Sequence, residues 1–326
     1  MMDELDTHAY AHNDGGFDPI AVACAVERAV QKGDTMLYHS FQWERYYGGI
    51  ASARSPDSFC NLRCACCYVG RTAEEAAWKY YSPQEVYDGL LKVVPGEHGE
   101  QATLFRLAGR EPTIGWDHLM GFLRIVAESR NHVIALLETN GMRLGNDKTL
   151  VEALAEFREK LIVRLSFKAG TPEAFRQKTG AREEAFELPF QALRHLEALA
   201  VPTKIAAMTG DVWYTGTDER RELYRRILST SRLSPWDLLL DDGMEEETIE
   251  HIEVTDTRLA ATGFDEKNAE GVYEPFAASL VRYLLEQGII DANTLSRESL
   301  KTLLEDKERV LGMLDEVEFH AFARTE

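Results

Sequence analysis

The sequence predicts an α/β chain built on a parallel sheet of about six strand–helix units. Three observations predict it. Apolar runs of strand length alternate with stretches of helical spacing from about residue 48 to 240. The glycine-bearing and polar loops fall after strands, at 109–112, 139–141, 166–168 and 208–210. In parallel sheets those C-terminal strand ends carry the chemistry. No internal repeat or low-complexity tract breaks the pattern.

Each element has a local reason. Residues 1–47 read as an extension, with a helix over 18–30 that Asp18 caps and Pro19 opens. Cys24 lies in its apolar stretch and is expected in the core. A short strand at 48–53 leads into a cysteine-rich loop. Ser82 and Glu85 form a capping box that opens a helix to about 94. Strands are expected at 103–108, 132–139, 161–167, 203–208 and 236–240. Between them helices are expected at 116–129, 148–159, 172–178, 189–199 and 219–229. The expected organisation is a core over 48–245 and a helical cap over 246–326, with helices at 272–286 and 297–314.

Bulk properties narrow the function. The chain has 326 residues and a net charge of -19, which argues against a sequence-independent nucleic-acid binder. Its apolar runs fall well short of the roughly 20 residues a membrane helix needs. The polar, acidic residues 1–14 lack the basic and apolar regions of a secretory signal, so a reducing cytoplasmic setting is expected. Eight acidic residues lie between Asp241 and Asp256. They are expected to form a solvated face, with docking of a basic peptide as the sharper alternative.

Four of the five cysteines lie within 60–67. Cys60, Cys64 and Cys67 have C-x3-C-x2-C spacing in Phe59-Cys-Asn-Leu-Arg-Cys-Ala-Cys-Cys-Tyr68. Three thiolates on one loop can hold three irons of a four-iron cube and leave the fourth open for a ligand. A structural zinc site would close with four ligands. Cys66 is then a fourth ligand or a small buried residue.

This spacing resembles the radical S-adenosylmethionine (SAM) superfamily. The resemblance covers about 55–240 and implies a partial (βα)6 TIM-like barrel. It implies that Cys60, Cys64 and Cys67 hold a [4Fe-4S] cluster whose open iron is chelated by SAM. One electron would then cleave SAM to methionine and a 5′-deoxyadenosyl radical. Gly109-Arg110-Glu111-Pro112 resembles the family's Gly-Gly-Glu-Pro motif, with Arg110 in place of the second glycine, and implies a hold on the SAM ammonium. Thr139 and Asn140 match the strand end that meets the ribose and methionyl part. Ser166-Phe-Lys168 resembles the Asp-x-Lys segment of glycyl-radical activating enzymes, whose lysine pairs with the SAM carboxylate; here Ser166 takes the aspartate's place. Met208 ends the next strand as a further SAM contact. The family usually has an aromatic residue before the third cysteine, and this chain has Cys66. Either Tyr68 takes over the adenine contact or the adenine pocket differs.

The implied reaction is hydrogen abstraction from a protein, peptide or small molecule, fed by a flavodoxin- or ferredoxin-like reductant. Radical methyl transfer is the alternative. Too few cysteines remain for auxiliary clusters, and 47 residues are too few for a cobalamin domain. From another class, the rival is a non-catalytic, zinc-stabilised binding module.

Overall fold

The computed structural model describes residues 15–38, 40–44, 50–54, 60–67, 79–93, 102–209, 214–239, 243–247 and 276–318. Helix α1 (Pro19–Val30) is capped by Asp18, whose carboxylate accepts from the N–H groups of Ile20 and Ala21. It buries Val22, Ala23, Val26 and Val30, while Cys24 lies on the outer side and is exposed. The expectation of a core Cys24 is corrected: the apolar stripe runs one position to either side of it.

A small antiparallel sheet joins β1 (Gln31–Lys32), β2 (Thr35–Tyr38) and β5 (Lys79–Tyr81). The main sheet has seven strands. Its antiparallel edge is β3 (Ser40–Glu44), paired to β4 (Ile50–Arg54). From β4 the sheet runs parallel through β6 (Leu104–Ala108), β7 (Ile134–Thr139), β8 (Leu161–Phe167), β9 (Thr203–Ala207) and β10 (Met244–Glu246). That is six parallel strands with helices between them, the arrangement of a partial TIM-like barrel. The strand β3 belongs to the expected extension and pairs with the expected core; the division at 47/48 stands as a proposal about organisation.

The crossovers follow their caps. Ser82 and Glu85 make the full capping box of α2 (Pro83–Lys92). Helix α3 (Trp116–Glu128) precedes β7, and α4 (Met142–Asn146) and α5 (Lys148–Ala155) precede β8. Thr171 caps α6 (Pro172–Thr179), which is followed by α7 (Leu188–Ala198). The sheet alternates by position. Phe105, Leu107, Ala135, Leu137, Val163, Leu165, Ile205 and Ala207 are buried in the main core with the helices. Arg106, Glu138, Arg164 and Ser166 occupy the opposite, inner face.

The last strand differs from expectation. Residues 235–239 form helix α9 (Pro235–Leu239), after α8 (Thr217–Thr230). Ser234 Oγ accepts from the Asp237 N–H at 3.2 Å and Asp237 Oδ2 accepts from the Ser234 N–H at 3.4 Å, a capping box with Pro235 in the first turn. The cap overrides the strand-like composition of Trp-Asp-Leu-Leu. The sixth parallel strand is instead β10, from the acidic run. Beyond it, helices at Phe276–Glu286, Arg297–Leu304 and Lys307–Met313 pack on the core. Asp306 caps the last of these and splits the single helix expected over 297–314. Among the described residues no helix is long and apolar enough to cross a membrane.

Candidate active site

The cysteine loop follows β4 and rests on the end of α6. The N–H groups of Arg63 and Ala65 donate to the carbonyls of Thr179 and Lys178, at 2.9 and 2.8 Å. The Cys67 N–H donates to the Cys64 carbonyl at 3.2 Å. Cys60, Cys64 and Cys67 are half-buried on this loop, and Cys66 is buried. Burial, reinforced by nearby Glu111, pushes the Cys60 thiol up to about 12. Burial likewise raises Cys64 and Cys66, against the opposing charge of Lys168. These thiols bind protons tightly until a metal displaces them. Among the described residues no group of three or more His, Cys, Asp or Glu side chains is already set to hold a metal ion.

Glu111 is the hub of the next layer. Gly109, at the end of β6, has φ of 87°, a left-handed turn that suits glycine. Arg110 turns back so that its guanidinium donates to the Gly109 carbonyl. Pro112 opens a single 3-10 turn, Pro112–Ile114, which Glu111 caps. The Glu111 carboxylate is 1% exposed. Its Oε1 accepts from Thr139 Oγ1 at 2.7 Å, from the Thr113 hydroxyl, and from the Thr113 N–H at 3.4 Å. Its Oε2 accepts from the Asn140 N–H at 2.7 Å. Burial still raises this carboxyl above its ordinary value despite those bonds.

Asn140 then reaches the cysteine loop. Its Nδ2 donates to Asn61 Oδ1 at 2.7 Å and lies 3.9 Å from Cys60 Sγ. Gly141 follows with φ of 76°, and an added Cβ would come within 2.5 Å of Leu165 Cδ1. Three segments far apart in sequence, 60–61, 111–113 and 139–140, are therefore one hydrogen-bonded unit. Arg143 braces it from α4 by donating to the carbonyls of Thr113 and Ile114 at 2.6 and 3.0 Å.

Lys168 lies in a second cluster. Its Nζ donates to Ser166 Oγ at 2.5 Å and to Glu247 Oε2 at 3.1 Å. Glu247 also accepts from Ser166 Oγ at 2.9 Å and pairs with Arg164 at 2.8 Å. Arg164 continues the chain to Glu245 at 2.9 Å and Glu138 at 3.8 Å, and Glu138 pairs with Arg106 at 2.7 Å. The inner face of the sheet is thus charged across four strands. The acidic run, over its described residues, is not a solvated face: Glu245 and Glu247 are ion-paired here. Glu246 lies on the other side with Arg220 at 3.6 Å, Tyr224 and the Phe276 N–H.

Burial alone would raise Glu247, yet Lys168 and Arg164 hold its carboxyl down at about 2. A depressed carboxylate stabilises the fold above its unfolded pKa, and that contribution is lost as pH falls through the folded one. Its window therefore runs from 4.5 down to about 2. Glu247→Gln is expected to destabilise the chain by about 3 kcal/mol near neutral pH, with the gap closing as pH approaches the bottom of that window. Urea unfolding of both chains across that range measures it.

The remaining candidates gather around Cys66. Ala65, Cys66, Met208 and Tyr214 form a small buried cluster, with Cys64 packed against it. Cys66 and Tyr214 pack side by side in it. Behind them buried Lys178 donates to Thr215 and Glu219, each at 2.8 Å, with its Nζ 4.5 Å from the Tyr214 ring centroid. Thr215 Oγ1 in turn donates to the Met208 carbonyl at 2.8 Å. Tyr68, Gly210 and the acidic positions 241, 242, 250, 253 and 256 lie outside the described residues.

Sequence reasoning missed Asn61, Arg106, Glu138, Arg164, Tyr214, Lys178 and the roles of Glu245 and Glu247. A signal existed for three of them: each is a lone charge inside an apolar strand, as in Leu-Phe-Arg-Leu-Ala. Such a charge needs a buried partner.

The residues fit an anionic iron–sulfur group. Donors already face Cys60 Sγ, from the Leu62 N–H at 3.5 Å and from Asn140, and the charge of Lys168 acts on Cys64. The family model described as the radical SAM superfamily matches residues 55–227, just over half of the chain. The chain belongs to the radical SAM superfamily. Membership implies a [4Fe-4S] cluster and SAM as its cofactors.

Among solved structures, SuiB of Streptococcus suis bound to its precursor peptide SuiA is similar at 16% identity, over 54% of this chain and 36% of that one, with a TM-score of 0.41. The anSMEcpe enzyme with bound AdoMet matches at 20% identity, over 52% and 46%, with a TM-score of 0.37. TYW1 with a lysine-pyruvate adduct matches at 18% identity, over 55% and 62%, with a TM-score of 0.39. The chain thus spans less than two thirds of each of these proteins. No curated protein matches it.

Proposed function

We propose that this radical SAM protein cleaves SAM reductively and abstracts hydrogen from a polar substrate held on the inner face of its sheet. The observation that carries the reading is the hydrogen-bonded unit joining the cysteine loop, Glu111 and the Thr139-Asn140 strand end. Cys60, Cys64 and Cys67 are the proposed iron ligands. When bound, the cluster and SAM would supply a 5′-deoxyadenosyl radical.

The chain's own residues bind and orient. Glu111 Oε1 is crowded by three donors, whereas among the described residues Oε2 takes only the Asn140 N–H. Its remaining lone pair is the proposed acceptor for the SAM ammonium, a group with donors alone. Gly109, Arg110 and Pro112 shape that loop, and Thr139 and Asn140 are proposed to meet the methionyl and ribose part. Lys168, oriented by Ser166 and Glu247, is proposed to face the SAM carboxylate. Cys66, Met208 and Tyr68 are proposed to border the adenine.

The charged inner face supports a polar substrate. Arg106, Glu138, Arg164, Glu245 and Glu247 form a network of ion pairs there, and an apolar ligand would strip it of solvent without compensation. The reductant is proposed to be flavodoxin- or ferredoxin-like and the setting cytoplasmic.

The test is the fate of SAM labelled with deuterium in its methyl group, given to the iron-loaded protein with a strong reductant. The reading expects unlabelled 5′-deoxyadenosine and labelled methionine. S-adenosylhomocysteine with the label on another molecule would replace it with methyl transfer.

A further inference from the structure

Asn61 is fully buried, at 0% exposure, and among the described residues its Nδ2 has no hydrogen-bond partner. Leaving such a donor unmet is costly, because the group has given up water without gaining an acceptor. Its orientation is fixed by a chain of bonds rather than chosen freely. The Met142 N–H donates to Asn140 Oδ1 at 3.1 Å. That turns Asn140 Nδ2 toward the cysteine loop, where it donates to Asn61 Oδ1 at 2.7 Å. Flipping the Asn61 amide would set two NH2 groups face to face. Its nitrogen is therefore the end left without an acceptor.

The neighbourhood says what the acceptor is. Asn61 directly follows Cys60, and the same short stretch already aims donors at sulfur. The Leu62 N–H lies 3.5 Å from Cys60 Sγ, and Asn140 Nδ2 lies 3.9 Å from it. An acceptor for Asn61 must be buried and anionic or strongly polar. Iron–sulfur sulfurs are such acceptors, and hydrogen bonds to them help set reduction potential.

We propose that Asn61 is a positioning residue of the cluster, its Nδ2 donating to a cluster sulfur and raising the potential at which the cluster accepts an electron. The inference rests on Cys60, Cys64 and Cys67 being the iron ligands. The reduced cluster carries one more negative charge, so a charge-assisted N–H···S bond favours that state. Asn61 would then decide how readily the protein's reductant can charge the cluster.

Asn61→Asp tests it, because aspartate keeps the shape and the acceptor for Asn140 Nδ2 but loses the donor. At one poised potential, the ratio of reduced to oxidised cluster, counted by electron paramagnetic resonance, is expected to fall about tenfold or more, with iron per chain unchanged. Asn61→Ala, which adds no charge, is expected to move the ratio the same way. A merely structural Asn61 would lower iron content or melting temperature and leave the ratio per loaded cluster unchanged; that result overturns the proposal.

A further readout comes from the native side chain. Isotope-labelled asparagine in the unsubstituted protein is expected to show nitrogen hyperfine coupling to the reduced cluster without SAM. Part of that coupling is expected to be lost in Asn61→Asp, which separates it from Asn140. Coupling that Asn61→Asp leaves intact, or that appears only once SAM is added, overturns the cluster assignment of the donor. An unsubstituted protein that takes up no iron overturns the ligand reading, and this proposal with it.

Discussion

Cys64→Ala is expected to abolish stable uptake of the four-iron cluster and, with it, reductive cleavage of SAM. The other two thiols remain on the loop, but two ligands leave a second iron without a protein donor. Cys64 is also the central thiol of the loop: its carbonyl accepts from Cys67, and its side chain packs on the cluster of Ala65, Cys66, Met208 and Tyr214. Cys66→Ala is the matched control. Cys66 is buried inside that same cluster beside Tyr214, so its loss is expected to cost about 1 kcal/mol of stability and to leave iron binding intact. Iron and acid-labile sulfide per chain, measured after anaerobic reconstitution, separate the two. Equal loss in both variants would make Cys66 a ligand and revive a four-thiolate zinc site.

Glu111→Gln is expected to weaken SAM binding about a hundredfold, the loss of one buried, charge-assisted partner. The substitution also places an NH2 group among the Thr113, Thr139 and Asn140 donors, so some stability should be lost. The pH dependence isolates the ammonium contact from that structural damage. Burial raises the Glu111 carboxyl above its ordinary value, so the group takes up its proton at higher pH than a free carboxyl does. SAM affinity of the native protein should therefore fall on acidification, beginning above the ordinary glutamate range. The Glu111→Gln chain should lack that fall. Equilibrium binding of SAM to the iron-loaded oxidised protein measures both. A native protein and variant of equal affinity would remove Glu111 from the ammonium site.

Much of the local structure around the candidate site was legible because it rests on local chemistry. The cysteine spacing, the Gly109 turn and the Ser82–Glu85 cap each need only a few consecutive residues, and the strands β6 to β9 follow from their apolar runs. Cross-strand chemistry was not legible. Lys168 was readable as a cation after a strand, but its partner Glu247 lies 79 residues away in an acidic stretch that composition alone presents as solvated. In strand β10, Glu245 meets Arg164 on one face and Glu246 meets Arg220 on the other, and Glu247 just beyond it pairs with Lys168. The same limit hid Asn61, whose meaning comes from a side chain at position 140. In the reverse direction, Ser234 and Asp237 carried a legible cap that the apolar run at 236–240 masked.

The most direct test of the central claim is the fate of SAM at the iron-loaded protein. The protein is reconstituted without oxygen, given SAM and a strong reductant, and the small molecules are identified by mass spectrometry. The account predicts 5′-deoxyadenosine and methionine from the native chain and neither from Cys64→Ala. Absence of iron uptake by the native chain, or cleavage that persists in Cys64→Ala, would contradict it.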